Sequence, residues 1–122
     1  MLASAQRLRR RDEFAAVMRS GRRAGRGGLV VHVKDLMGSE NPSACARAGF
    51  IVPKAVGNAV VRNKVRRRLR HALRERLPEV GPVDIVVRVQ PAAATVPYSQ
   101  LIADLDAAVR AARARRNNRT GS

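Results

Sequence analysis

The residues best suited to chemistry in this sequence are cations gathered between residues 54 and 76. This stretch contains nine Lys or Arg side chains and one acid, Glu75, so it carries half of the chain's net charge of +16. Arginine is the commoner cation, and its planar guanidinium can hold two phosphate oxygens at once or stack on a base. Arginines three or four residues apart on a helix repel one another unless a polyanion lies beside them. The stretch therefore favours nucleic-acid binding over the simpler alternative of a solvated basic surface.

A single helix should position these cations. Gly57 and Asn58 supply a turn and a potential N-cap, and neither Gly nor Pro occurs from there to Leu77. At about 100° per residue, one side of this helix is apolar and another carries a narrow polar band. The apolar side comprises Val61, Val65, Leu69, Ala72 and Leu73, and the band comprises Asn63, Arg67, Arg70 and Arg74. We expect the apolar side to pack in a core and the band to face a partner.

Shorter patterns predict the remaining elements. Phe14, Val17 and Met18 have helical spacing in a segment that begins with two acids and ends at Gly21. Apolar, β-branched runs predict three strands, two of which flank the basic helix as a βαβ unit. In chain order, helices are predicted over residues 12–20, 58–77 and 97–112, strands over residues 29–36, 47–53 and 84–89, and turns or loops over residues 21–28, 37–45, 78–82 and 90–95. Residues 1–11 then form a basic N-terminal arm and residues 113–122 a disordered basic tail, which leaves one domain over residues 12–112.

Length and composition limit the class of protein. A chain of 122 residues with 45% apolar content can build one small domain with a modest core. The net charge predicts strong, salt-sensitive attraction to a polyanion, whether RNA, DNA or an acidic membrane surface. No apolar run of about 18 residues and no secretory signal pattern occurs, so a cytoplasmic location is expected. Cys45 is the only cysteine, and His32 and His71 lie too far apart in sequence for a metal-ligand spacing.

The acidic residues do not form a pattern expected of a nuclease. RNA cleavage by a protein usually requires clustered carboxylates that hold metal ions, or a pair of histidines for acid and base catalysis. The acids considered are scattered over helix starts, a turn and different helix faces: Asp12, Glu13, Glu75, Glu79, Asp84, Asp104 and Asp106. The sequence therefore predicts neither catalytic residues nor a metal site in the protein.

The basic helix resembles a known signature. Lys54, the segment Val56-Gly57-Asn58-Ala59-Val60, the triplet Arg62-Asn63-Lys64, and then Arg66, Arg67 and Arg70 closely resemble the RNR motif of the bacterial ribonuclease P protein subunit. The third position of the triplet is Lys64 instead of Arg, which keeps the charge and loses the forked guanidinium. The resemblance extends from about residue 8 to about residue 109, and its densest part is the motif itself.

The resemblance implies both a fold and a function. The fold would be α+β, a small single-domain sandwich of a mostly antiparallel sheet with helices. Its βαβ unit would have an unusual left-handed crossover (ribosomal S5 domain 2-like). The function would be that of the protein subunit of ribonuclease P, which binds the catalytic RNA and the 5′ leader of precursor tRNA and assists endonucleolytic removal of the leader. The catalytic centre would lie in the RNA subunit, with Mg²⁺ held mainly by RNA and none bound tightly by the protein alone.

The resemblance also assigns roles to individual residues. The RNA-binding set is Lys54, Asn58, Arg62, Asn63, Lys64, Arg66, Arg67, Arg70 and Arg74. The set lining a cleft for the single-stranded leader is Phe14, Met18, His32, Arg47 and Val52. Ordinary core packing stays open for Phe14, and a surface or half-buried position without a ligand stays open for His32.

Two other functions remain open on sequence grounds. A ribosomal or other structural RNA-binding protein would share the charge and the small α/β form and would leave tRNA processing alone. A stand-alone nuclease would need a cluster of carboxylates or histidines that the sequence does not display. Magnesium-dependent cleavage by the protein alone would support the nuclease.

Overall fold

Three helices and four strands make up the part of the chain that the computed structural model describes, namely residue 8 and residues 11–35, 47–80 and 83–114. The elements in chain order are α1 (Arg11–Ser20), β1 (Arg22–Arg26), β2 (Leu29–Asp35), β3 (Arg47–Ile51), α2 (Ala59–Val80), β4 (Val83–Val89) and α3 (Tyr98–Ala114). Short 3₁₀ turns at Lys54–Val56 and Pro91–Ala94 precede α2 and α3.

The four strands form one mixed sheet in the order β1-β2-β4-β3. Strand β2 runs antiparallel to both β1 and β4, whereas β3 runs parallel to β4. The parallel pair is joined through α2, because parallel neighbours need a crossover connection and cannot be linked by a tight turn. The predicted α+β class, mostly antiparallel sheet and βαβ unit are confirmed.

The larger core lies between one face of the sheet and helices α2 and α3. Alternate residues of β2 and β4 point to this face and are fully buried. They meet the inner stripe of α2, which is the apolar side predicted from the helical spacing. The principal contributors are Leu29, Val31, Val33, Ile85, Val87, Leu69, Leu73, Leu77, Leu101 and Leu105. Burying each such side chain stabilises the fold by about 1.5–3 kcal/mol, which makes this core the main support of α2.

The opposite face of the sheet is covered in part by α1. A small second core there contains Leu8, Val17 and Val86, with Phe14 and Met18 packed against it from α1. The Leu8 amide also donates a hydrogen bond to the Ala48 carbonyl oxygen at 2.9 Å. Residue 8 falls in the predicted basic arm, so this residue of the arm is tied to β3. The other residues of the arm outside α1, the predicted loop over residues 37–45 and the tail from residue 115 lie outside the described residues.

Strand β1 was not predicted from the sequence. Its residues, RRAGR, lack the β-branched side chains that mark strands, and residues 21–28 were assigned to a turn. The strand forms because its backbone pairs with β2 through the tight turn at Gly27 and Gly28, where Gly27 has a φ of 57°. Only Ala24 of this strand is buried. The turn prediction is right at Gly27 and Gly28 and wrong for residues 22–26, where hairpin pairing, and not local propensity, determines the structure.

Smaller differences concern the ends of elements. Helix α2 continues to Val80, through Pro78, although the sequence predicted an end at residue 77. A proline in the last turn removes one backbone hydrogen bond and leaves the rest of the helix intact, whereas a proline in the middle breaks it. Helix α1 begins one residue early, at Arg11, and α3 extends to Ala114. No helix among the described residues is long and apolar enough to span a membrane.

Candidate nucleic-acid interface

The start of α2 explains why the motif contains a glycine and an asparagine. The Asn58 side-chain oxygen accepts a hydrogen bond from the Val61 amide at 3.0 Å, and the Asn58 carbonyl accepts one from the Arg62 amide at 2.9 Å. Asn58 is therefore the N-cap of α2, as its position in the sequence indicated. Gly57 has a φ of 156°, and a Cβ on it would lie 2.8 Å from Val61 Cγ1. These two residues fix where the helix begins and hence which way its cations point.

The RNA-binding residues predicted on α2 occupy its outer face and one flank. The exposed members are Asn58, Asn63, Lys64, Arg67 and Arg74, while Arg62, Arg66 and Arg70 are half-buried. Lys54 is exposed on the preceding 3₁₀ turn. Arg66 donates a hydrogen bond to the Asn63 side-chain oxygen at 3.0 Å, which orders the side of the helix nearest α1. The helix thus presents a continuous cationic surface, since consecutive members lie within one turn of each other.

A small cleft joins this surface to α1. A cavity of about 120 Å³ is lined by Leu8, Phe14, Ala48, Gly49, Phe50, Arg66 and Arg70. Phe14 from α1 and two arginines from α2 therefore line the same space beside β3. Aromatic rings stack on bases and guanidinium groups hold phosphates, so these are the two kinds of contact a single-stranded nucleic acid offers.

Gly49 has no side chain and so leaves room for the Phe14 ring in the cleft. A Cβ added to Gly49 would overlap the end of the Phe14 ring, so the ring rests directly on the backbone of β3. Sequence reasoning did not assign Gly49, Leu8 or Phe50 to the cleft. A glycine inside an apolar strand is itself a signal of close approach by another group, and this signal was available for Gly49.

The other predicted leader residues are placed differently from Phe14. Met18 is half-buried in the small core beside Phe14, and Arg47 is bound by two carboxylates. Val52, just after the end of β3, is buried in the larger core between the sheet and helices α2 and α3. Val52 is not among the residues that line the cavity beside Phe14, so the structure places it in the core and not in the cleft.

His32 is buried, with only 3% of its surface exposed. It lies on the α1 side of β2, away from the larger core as expected, yet it is not open to solvent. Neither ring nitrogen has a hydrogen-bond partner among the described residues. Burial lowers the pKa of His32 below its ordinary value of 6.5, and the charges of Arg88 and Arg23 on the neighbouring strands lower this pKa further. A neutral imidazole held between two arginines is therefore the state of this site near pH 7.

We expect His32 to make the fold less stable in mild acid. The pKa of His32 is lower in the folded state than in the unfolded chain, so below pH 6.5 the unfolded chain binds a proton that the folded protein does not. The free energy of unfolding should therefore fall as the pH drops through that value. Urea unfolding at about pH 7.5 and about pH 5.5 measures the change. His32→Leu should reduce the fall, whereas His71→Gln, on the exposed side of α2, should keep it. An equal fall in His32→Leu and the unaltered protein would contradict the prediction.

Most of the described acids outside the cleft are engaged with cations. Arg47 binds Asp84 and Glu13, and the Arg76 guanidinium binds both oxygens of Asp106. Within the described ranges, no three His, Cys, Asp or Glu side chains come together as a potential metal site. The carboxylates here thus act in ion pairs that join elements of the fold.

Comparison with known proteins identifies relatives along almost the whole chain. The model of the Ribonuclease P family matches residues 2–113. The ribonuclease P protein component of Salinispora tropica is 54% identical over 98% of this chain and 99% of its own length. That of Streptomyces avermitilis is 51% identical over 89% of this chain and 93% of its own.

Solved structures show the same arrangement of elements. A Staphylococcus aureus RNase P protein mutant with defective mRNA degradation activity is similar with a TM-score of 0.78 and 25% identity, covering 89% of each chain. The RNase P protein of Thermotoga maritima, in complex with 1-(4-fluorophenyl)-2-thiourea, has a TM-score of 0.72 at 22% identity. It covers 89% of this chain and 99% of its own, and at this identity the likeness concerns the fold.

Proposed function

The chain belongs to the ribonuclease P protein family and is a protein component of that ribonuclease, and we propose that it assists removal of the 5′ leader from precursor tRNA by binding two RNAs. Its partners in this proposal are the catalytic RNA and the precursor tRNA. The observation that carries it is the cleft in which Phe14 faces Arg66 and Arg70, beside the exposed cations of α2. With the family established, the ribosomal-type alternative has no observation of its own in its favour.

The outer face of α2 is the surface proposed for the catalytic RNA. Lys64, Arg67 and Arg74 are exposed on a rigid helix that the larger core holds in place. Each phosphate that such a cation neutralises releases counterions, so binding is favourable and falls steeply with salt. Because the cations are fixed on one helix, they also define an orientation for the protein on the RNA.

The cleft is the surface proposed for the leader. A base stacked on Phe14 would place its backbone phosphates near Arg66 and Arg70, which line the same cavity. The contact requires unpaired nucleotides, because bases inside a duplex offer no free face for stacking. The cleft would thus distinguish precursor tRNA, which has a single-stranded leader, from mature tRNA, which has none.

We assign the chemical step to the RNA subunit. The described carboxylates do not fit a magnesium site on the protein, since Glu13, Asp84 and Asp106 are bound by arginines. Magnesium held mainly by RNA supplies charge stabilisation and an activated water for phosphodiester hydrolysis. The contribution of the protein is to offset the repulsion between two polyanions and to hold the leader in place.

Phe14→Ala tests leader binding. Loss of one base–aromatic stack should weaken binding of precursor tRNA by the reconstituted holoenzyme by about 5- to 50-fold, and binding of mature tRNA by less than about twofold. Phe14→Leu, which fills the small core without a ring, should share the defect, whereas Phe14→Tyr should largely restore binding. Equal losses for the two tRNAs would show that Phe14 only packs.

A further inference from the structure

Arg47 joins three elements of the fold through its guanidinium group. Its Nε and Nη2 donate to the two oxygens of Asp84 at 2.9 and 2.8 Å, and its Nη1 donates to Glu13 Oε2 at 2.6 Å. Asp84 is the partner of Arg47 in the register of β3 and β4, while Glu13 belongs to α1. The group formed by Glu13, Arg47 and Asp84, here called the ion triad, therefore ties α1 to two strands of the sheet.

Only arginine suits this position. One edge of the guanidinium forms a paired contact with Asp84, whose side chain is 6% exposed, and a further nitrogen remains for Glu13. A lysine has one small ammonium at the end of a flexible stem, and it cannot hold two carboxylates in fixed directions. The group is thus a geometrical clamp and not merely a positive charge.

The ion triad lies next to residues that line the cleft. Glu13 precedes Phe14 in α1, and Gly49, on which the Phe14 ring rests, lies two residues beyond Arg47 on the same face of β3. The apolar contacts that hold α1 at this place are few, because the small core contains three buried residues among those described, with Phe14, Met18 and Ile51 packed against them. The polar contacts of the ion triad beside the ring add to these apolar contacts.

We propose that Arg47 is a positioning residue for leader binding, holding α1 through Glu13 so that Phe14 forms the wall of the cleft opposite Arg66 and Arg70. The proposal rests on the proposed function, because it assigns Arg47 a part in the leader site. It replaces the sequence-based expectation that Arg47 contacts the leader itself, since the Nε, Nη1 and Nη2 atoms of its guanidinium all donate to carboxylates of the protein.

A double-mutant cycle in the reconstituted holoenzyme tests the proposal. Glu13→Gln, Phe14→Ala and the double variant are compared for the Kd of precursor and mature tRNA. Glu13→Gln leaves the buried Arg47–Asp84 contact in place, so the domain should stay folded, which thermal unfolding checks. We expect Glu13→Gln to weaken precursor binding by about three- to tenfold, to leave mature tRNA unchanged, and to add nothing once Phe14 is absent.

Two further variants separate position from charge. Glu13→Gln makes the protein more cationic, so a purely electrostatic effect would tighten RNA binding, and Asp12→Asn on the same turn of α1 measures that effect. Arg47→Lys preserves the charge and removes the clamp. A residue that acts only through its charge loses little on this change, whereas a positioning residue loses its fixed contacts, so Arg47→Lys should behave like Glu13→Gln.

The outcomes distinguish this proposal from the one on which it rests. A leader-specific defect in Phe14→Ala, together with an additional and independent loss from Glu13→Gln, would overturn the positioning role and leave leader binding intact. Normal precursor binding by Arg47→Lys would overturn it as well. If Phe14→Ala weakened both tRNAs equally, leader binding in this cleft would itself be rejected, and the positioning role with it.

Discussion

Replacing Arg67 and Arg74 together with alanine is expected to weaken binding of the ribonuclease P RNA by about 10- to 100-fold at moderate salt. Both side chains are exposed on the outer face of α2, two turns apart, and neither contributes to the core or to the cleft. Loss of two phosphate contacts should also reduce the slope of log K against log salt concentration by up to about two units. Filter binding at several salt concentrations measures both quantities.

A matched control is available on α3. Arg110 and Arg113 are also exposed and cationic, and replacing both with alanine removes the same total charge from a different surface. That variant should lose much less affinity and keep most of its salt slope. Similar losses in the two double variants would mean that RNA responds only to net charge. Thermal unfolding of both variants should be nearly unchanged, because exposed arginines contribute little to stability.

The part of the fold that could be predicted from the sequence is the part whose signals are local. The basic helix was evident because its apolar residues recur at helical spacing and because Gly57 and Asn58 mark its start. Strands β2, β3 and β4 were evident from their apolar runs. In each of these segments the spacing of apolar residues is visible within one short stretch of sequence, and that spacing indicates a helix or a strand.

Strand β1 has no apolar pattern of this kind. The strand is mostly arginine and glycine, and it exists because β2 offers it hydrogen-bond partners after a tight turn. The prediction that Val52 lines the cleft failed for a different reason, because its burial in the larger core depends on packing between elements. The cleft is lined by Ala48, Gly49 and Phe50 together, so alternation along β3 alone does not decide which residues reach it.

The ion triad and the burial of His32 depend on tertiary structure alone. Glu13, Arg47 and Asp84 are distant in sequence, and only the register of β3 with β4 and the placement of α1 bring them together. The alternation along β2 places His32 on the face away from the larger core, where a surface position was expected. Packing against other elements buries it there. Sequence reasoning recognised all of these residues as polar and could not tell which of them face protein and which face RNA.

Reconstitution tests the central claim most directly. The purified protein, a bacterial ribonuclease P RNA and precursor tRNA are combined at low magnesium, where the RNA alone is poorly active because phosphate repulsion is not offset. Release of the leader is followed beside controls with protein alone and RNA alone. The account predicts rapid release only in the mixture. Release by the protein alone would reveal a catalytic site in the chain, and equal release by the RNA alone would contradict its role as the subunit that assists the RNA.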